Sequence, residues 1–157
     1  MTPVDVEKLL SEPSRDWSAR APASEEAIER LRQHAAVALP EEYLALLRYS
    51  NGGEGSLALP PLYFMLYEAE YTNELNRSPD QLELYPGFFV FGSNGGLETI
   101  AFDTRGKEPW PIVMYDAVAG TQSAVTIAEN MHEFILAIGL DEESDRDPDR
   151  DTIARKE

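Results

Sequence analysis

Leu39-Pro40-Glu41-Glu42-Tyr43-Leu44-Ala45-Leu46-Leu47-Arg48-Tyr49-Ser50-Asn51-Gly52-Gly53 carries a helix start and a helix stop within one short stretch. Pro40 suits the first helical position, where its missing N–H costs nothing, and Glu41 and Glu42 put negative charge where the helix dipole favours it. Tyr43, Leu44 and Leu47, widened by Leu46, form a single apolar face that must be buried. Asn51-Gly52-Gly53 then supplies residues that tolerate the left-handed backbone with which a chain leaves a helix.

Upstream of this helix, Thr2-Pro3-Val4-Asp5 predicts the start of a short helix with Val6, Leu9 and Leu10 on one face, ended by Glu12-Pro13. Residues 14–22 read as an irregular approach anchored by Trp17. Ser24 caps a second helix with Ile28, Leu31 and Ala35 on its inner face, which is expected to meet the opening helix.

Downstream, Ser56-Leu57-Ala58-Leu59 and residues 62–67 are strand-like but separated by Pro60-Pro61, and read as two short edge pieces. Residues 68–77 predict a short polar helix, and residues 78–87 a loop of the kind that often carries binding residues. From Phe88 the pattern is an antiparallel meander: residues 88–91, 98–102, 112–115 and 123–126, punctuated by Ser93-Asn94-Gly95-Gly96, Asp103-Thr104-Arg105-Gly106 and Gly120-Thr121. Thr126-Ile127-Ala128-Glu129 reads as a capping box opening a last helix, with Ile127, Met131, Phe134, Ile135 and Ile138 inward and Gly139 as its stop. The expected fold is therefore α+β: an antiparallel sheet of about four to six strands with N-terminal helices and a C-terminal helix packed on it. It is read as a single domain over residues 1–140, followed by an acidic tail over 141–157 with no apolar periodicity, expected to be mobile.

Several of these motifs, in this order, resemble the SUKH superfamily and within it the Smi/Knr family. They are Leu39-Pro40 with Tyr43 and Asn51-Gly52-Gly53, then Phe91-Gly92-Ser93-Asn94-Gly95-Gly96, Ile100-Ala101-Phe102-Asp103, Pro111-Ile112-Val113-Met114-Tyr115 and a closing helix near Phe134. The resemblance covers roughly Ala23 to Gly139. It implies a bacterial immunity protein of a polymorphic or contact-dependent toxin system, one that binds and neutralises a cognate toxin domain, often a nuclease. The alternative it implies is an intracellular regulator or scaffold of the Smi/Knr type that binds a cellular protein.

The chain has 157 residues with 13 basic against 29 acidic side chains, a formal charge of −16. Such a charge repels nucleic acid and anionic lipid and favours a basic or neutral partner, although acidity also serves solubility alone. Cysteine is absent, which removes disulfides, thiolate zinc sites and cysteine nucleophiles and suits a reducing cytoplasm. The N-terminus lacks the basic start and apolar centre of a secretion signal, and no apolar run approaches the roughly 20 residues that cross a bilayer. A cytoplasmic location is expected.

Catalytic and metal signatures are weak. His34, at a helix end, suits a capping role, and His132 has no recognisable catalytic context. Glu129 and His132 have the Glu-x-x-His spacing of a di-iron carboxylate site, but only one such motif is present. Asp145, Asp147, Asp149 and Asp151 occupy calcium-loop positions, yet Arg150 stands where glycine belongs and Lys156 where glutamate belongs. The glycine-rich stretches match no phosphate-binding fingerprint, and there is no Gly-x-Ser-x-Gly elbow. The expectation is a non-enzyme with no cofactor and no metal; a small hydrolase with an unrecognised carboxylate pair is the rival from another class.

What remains is a surface of carboxylates and tyrosines, including Glu68, Tyr85, Glu98 and Tyr115. Carboxylates take arginine in bidentate geometry and tyrosine supplies contact area at low entropic cost. Glu54, Glu70, Tyr71, Glu74, Asp103 and Asp116 are the candidate partner-binding residues, on the expectation that loop and strand-end acids face one cleft that grips a toxin or other basic protein.

Overall fold

The computed structural model describes residues 4–141. The calcium-like spacing over Asp145 to Asp151 and the acidic tail beyond Asp141 lie outside the described residues. Helix α1 (Val6–Leu10) opens the chain, with the Asp5 side chain accepting from Lys8 N. It is followed by β1 (Trp17–Ala19), α2 (Glu25–His34) and α3 (Glu41–Tyr49). Strands β2 (Gly53–Ser56) and β3 (Tyr63–Leu66), the helices α4 (Ala69–Arg77) and α5 (Pro79–Leu84), strands β4 (Phe88–Ser93), β5 (Glu98–Asp103), β6 (Ile112–Asp116) and β7 (Val125–Ala128), and α6 (Met131–Ala137) complete it. The fold class is α+β.

All seven strands form one antiparallel sheet in the order of the sequence, one strand more than the upper end of the expected range. The addition is β1. Residues 17–19 do not read as an irregular approach; they pair with β2, Trp17 opposite Gly55 and Ala19 opposite Gly53. Three residues are too few to show periodicity, and the close approach needs the glycines opposite: a Cβ on Gly55 would stand 1.9 Å from the Asp16 carbonyl oxygen. Because β1 takes the edge, β2 and β3 are interior strands, not edge pieces; β2 shares only Ser56 with the strand expected over 56–59, and Pro60-Pro61 falls in the connection between β2 and β3.

Three further expectations change. Residues 79–84 are helical and not loop, since Ser78 accepts from Gln81 N at 3.1 Å and Pro79 occupies the first turn, where a proline is tolerated. The box that opens α6 is Asn130 with Glu133: Asn130 Oδ1 accepts from Glu133 N at 2.8 Å, and Glu133 Oε2 accepts from Glu129 N at 3.1 Å. Thr126 is taken by the sheet, opposite Val113, and residues 121–123 form a 3-10 turn ahead of β7. Helix α2 packs mainly against α4 and α3, while α1 packs on α3.

The sheet is buried on both faces at its centre, so every residue of β4 is buried. On one face Phe89, Phe91, Ile100, Phe102 and Ile112 meet Tyr43 and Leu47 of α3 and Phe134 and Ile135 of α6. The Phe91 ring lies 4.5 Å from Phe102, 5.5 Å from Tyr43, 5.7 Å from Phe134 and 5.9 Å from Phe64. On the other face Phe88, Val90, Ala101, Val113 and Tyr115 are roofed by Tyr67, Leu75 and Tyr85, with Tyr85 stacked on Tyr115 at 5.3 Å.

Helices α4 and α5 hold to β4 through its backbone. Tyr67 N donates to Phe91 O at 3.0 Å where β3 runs out. Asn76 then takes over: its Oδ1 accepts from Val90 N at 2.9 Å and its Nδ2 donates to Val90 O at 2.8 Å. A side-chain amide thus replaces a strand partner and satisfies buried backbone groups that would otherwise be costly.

Candidate functional site

The chain leaves α3 through Gly52 and Gly53, with φ of 101° and 110°. Glycine is the residue that adopts such values without strain. The buried Ser50 hydroxyl donates to Gly52 O at 2.5 Å and accepts from Arg20 N at 3.0 Å, which fixes the reversal. Asn51 does more than end a helix. Its Oδ1 accepts from Ala69 N at 2.7 Å and its Nδ2 donates to Glu70 Oε1 at 3.0 Å, so it caps α4, whose own N-cap residue Glu68 makes no side-chain bond. Asn51→Ala is expected to cost about 1 kcal/mol and lower the melting temperature by roughly 4 °C, read by thermal denaturation followed by circular dichroism.

The reversal opens a cleft of about 350 Å³ between the outer face of β2 and β3 and the start of α4. Glu54 stands opposite Met65, which stands opposite Ser93, so this row of the sheet faces away from Phe64 and the main core. Glu54, Glu68, Tyr67 and Tyr71 surround the opening with Met65 inside, and Arg20 is the one cation in the lining. The Tyr67 and Tyr71 rings meet edge to face at 4.9 Å, and Tyr71 is half exposed. Beside the cleft the Tyr63 hydroxyl donates to Glu54 Oε1 at 2.5 Å, and this bond to a carboxylate raises the Tyr63 phenol above its ordinary pKa.

Among the described residues, Glu54, Glu68, Glu70 and Glu74 have no ion-pair partner. Some acids elsewhere are matched, Glu25 with Arg48 at 3.0 Å, Glu41 with Arg32 at 3.4 Å and Glu26 with Arg30 at 4.0 Å, while others such as Glu29, Asp80, Glu83, Glu98 and Asp116 also have no ion-pair partner among the described residues. Between residues 49 and 104 there are eight acids and one base, Arg77.

Glu54 and Tyr71 therefore share one cleft; Glu70 does not line it and accepts from Asn51, and Glu74 is exposed one helical turn further along α4. Asp103 and Asp116 do not join them. Asp103 ends β5, whereas Asp116 pairs with Glu98 at the other end of that strand, a separation of roughly 16 Å at strand rise. Asp116 Oδ1 accepts from Val118 N at 2.7 Å and Ala119 N at 2.8 Å and so holds a turn. Glu68 and Tyr67 belong to the cleft although neither was in the candidate set. Nothing local marks them; their place depends on the fold-back at Gly52 and Gly53.

Asp103 is held by Arg105, with Oδ1 accepting from Nε at 2.9 Å and Oδ2 from Nη2 at 3.0 Å. These bonds keep the Asp103 carboxyl below its ordinary pKa, while the guanidinium covers the Phe88 ring at 4.6 Å. A depressed folded pKa gives stability that is present above the unfolded carboxyl's pKa and lost as pH falls through the folded one. Asp103→Asn is expected to cost less than about 1 kcal/mol at neutral pH, since Arg105 is mostly exposed, and the deficit narrows progressively below about pH 4. Urea unfolding at both pH values measures it.

The histidines are elsewhere. His132 Nδ1 lies 3.3 Å from Glu42 Oε2, joining α6 to α3. His34 Nδ1 lies 3.1 Å from Asn73 Oδ1 and thus reaches α4, not the last carbonyls of α2. Among the described residues no three His, Asp or Glu side chains converge as a metal site, and no helix is long and apolar enough to cross a membrane.

A sequential antiparallel meander with helices packed on it and a cleft lined by two glutamates, two tyrosines and Arg20 define an α+β domain. Residues 22–137 match the profile of the SMI1 / KNR4 family (SUKH-1), and the chain belongs to that family. Its members are known as immunity or regulatory proteins, which implies work by protein–protein interaction. Comparison with curated proteins returns no match.

Proposed function

We propose that the chain is a cytoplasmic immunity protein that binds and neutralises the toxin domain of a bacterial polymorphic or contact-dependent system, and that the Glu54–Glu68–Tyr71 cleft grips it. The observation that carries this reading is that Glu54 and Glu68 line one cleft beside the half-exposed Tyr71, neither with an ion-pair partner among the described residues. A nuclease holds basic groups meant for phosphate; carboxylates compete for them through charge-assisted, bidentate bonds. The net charge of −16 adds steering that raises the association rate. The proposed action is occupation of a basic site, with no covalent step.

Co-expression with a candidate toxin domain, sought among the genes beside the one for this chain, is the test. The expected result is survival of cells that die when the toxin domain is expressed alone. Death despite soluble expression of both proteins contradicts the reading and returns the Smi/Knr regulator alternative, which capture of a non-toxin cellular protein would then support.

A further inference from the structure

A second cleft, of about 420 Å³, lies between the end of α2, the end of α4, α5 and the start of β4, away from the acidic one. Its walls are apolar: Leu31, Val37, Leu82, Tyr85 and Phe89 all line it, and Leu82 is 60% exposed, an aliphatic side chain that the fold leaves uncovered. In a chain with 29 acids among 157 residues, no Asp or Glu lines this cleft.

Its polar lining is divided between groups already used and groups that are free. Asn76, Gln81 and Thr104 bond backbone groups of Val90, Phe88 and Gly87. His34 Nδ1 lies 3.1 Å from Asn73 Oδ1; with the proton on Nδ1 the ring donates there and leaves the Asn73 Nδ2 hydrogens unused. Arg77 stands four residues on, on the same helix face, and among the described residues has no ion-pair or hydrogen-bond partner. The free groups thus include two donors, the Asn73 amide and the Arg77 guanidinium, beside His34 Nε2, an acceptor in that tautomer, at the mouth of an apolar hollow whose size falls in the roughly 300 to 1,000 Å³ range of small-molecule sites.

We infer that this cleft binds a small amphipathic carboxylate, a medium-chain or aryl-substituted acid, with the carboxylate on Arg77 and Asn73 and the apolar body against Leu31, Val37, Leu82 and Phe89. A guanidinium matches a carboxylate bidentately, and an apolar body covers Leu82. The assignment is independent of toxin binding, because it uses neither Glu54 nor Glu68.

Titration of the ¹⁵N-labelled full chain with octanoate, 3-phenylpropanoate, octanamide and acetate, followed by amide shifts, tests it. Saturable shifts at Leu31, Asn73, Arg77 and Leu82 are expected with one or both of the larger acids, with octanamide at least about tenfold weaker than octanoate and acetate without effect. Arg77→Gln is expected to abolish the preference for acid over amide, and Arg77→Lys to retain part of it, with amides far from the cleft unchanged in both. No saturable shift with either larger acid, equal binding of octanamide, shifts mapping elsewhere, or an unchanged preference in Arg77→Gln would overturn the inference.

Discussion

If the proposed function holds, changing Glu54 and Glu68 together to lysine is expected to weaken binding of a cognate toxin domain by at least about 100-fold, measured by isothermal titration calorimetry with the purified pair. Losing one member of a close interfacial charge pair costs about 2–5 kcal/mol, and reversal adds repulsion. The cleft is open to water, so the lower part of that range is used, and about 3 kcal/mol corresponds to roughly a 100-fold change. The folded chain itself should tolerate the change: neither glutamate has an ion-pair partner among the described residues, and Glu54 has only the outward Tyr63 hydroxyl. The melting temperature is expected to stay within about 3 °C of the parent, in line with surface substitutions generally. Loss of binding with stability intact separates a contact role from a folding role.

Phe91→Ala has the opposite profile. Phe91 is fully buried and its ring meets Tyr43, Phe64, Phe102 and Phe134, so one side chain joins α3, β3, β5 and α6. Removing a buried phenylalanine costs about 3–5 kcal/mol in lost burial and residual cavity. For a domain of this size that is a fall of roughly 10–20 °C in melting temperature, read by calorimetry. The neighbouring rings come from elements that do not adjoin in the chain and cannot close the gap without moving the helices.

The helix over Glu41–Tyr49 and the strands from Phe88 onward were legible because their evidence is local: apolar spacing, proline at the start, glycine or asparagine at the stop. Where two local signals competed, tertiary pairing decided. Thr126-x-x-Glu129 and Asn130-x-x-Glu133 both satisfy a capping pattern, but Thr126 pairs with Val113 in the sheet, so the second opens α6. Ser78-Pro79-Asp80 carries turn residues that are equally a helix start, and the helical outcome goes with Gln81 reaching toward Phe88 O. Strand β1 had no local signature; it exists because Gly53 and Gly55 leave room beside β2.

The candidate site was legible in kind but only partly in grouping. Glu54 and Tyr71 come together because Gly52 and Gly53 reverse the chain and Asn51 caps α4, a contact across 18 residues, while Glu70 is left outside the cleft lining. Asp103 and Asp116 shared the same description, acids at strand ends, but the register of β5 against β6 puts them at opposite ends. Residue type states what a side chain can grip; register states which side chains grip together.

The most direct test of the central claim, the proposed grip on a toxin domain, is amide-shift mapping of the ¹⁵N-labelled chain in complex with a toxin domain that it is found to neutralise. The largest changes are expected at Gly52 to Glu54 and Met65 to Tyr71, weakening as salt is raised. Changes concentrated instead on α1 and α6, with Glu54, Glu68 and Tyr71 unmoved, would contradict the account.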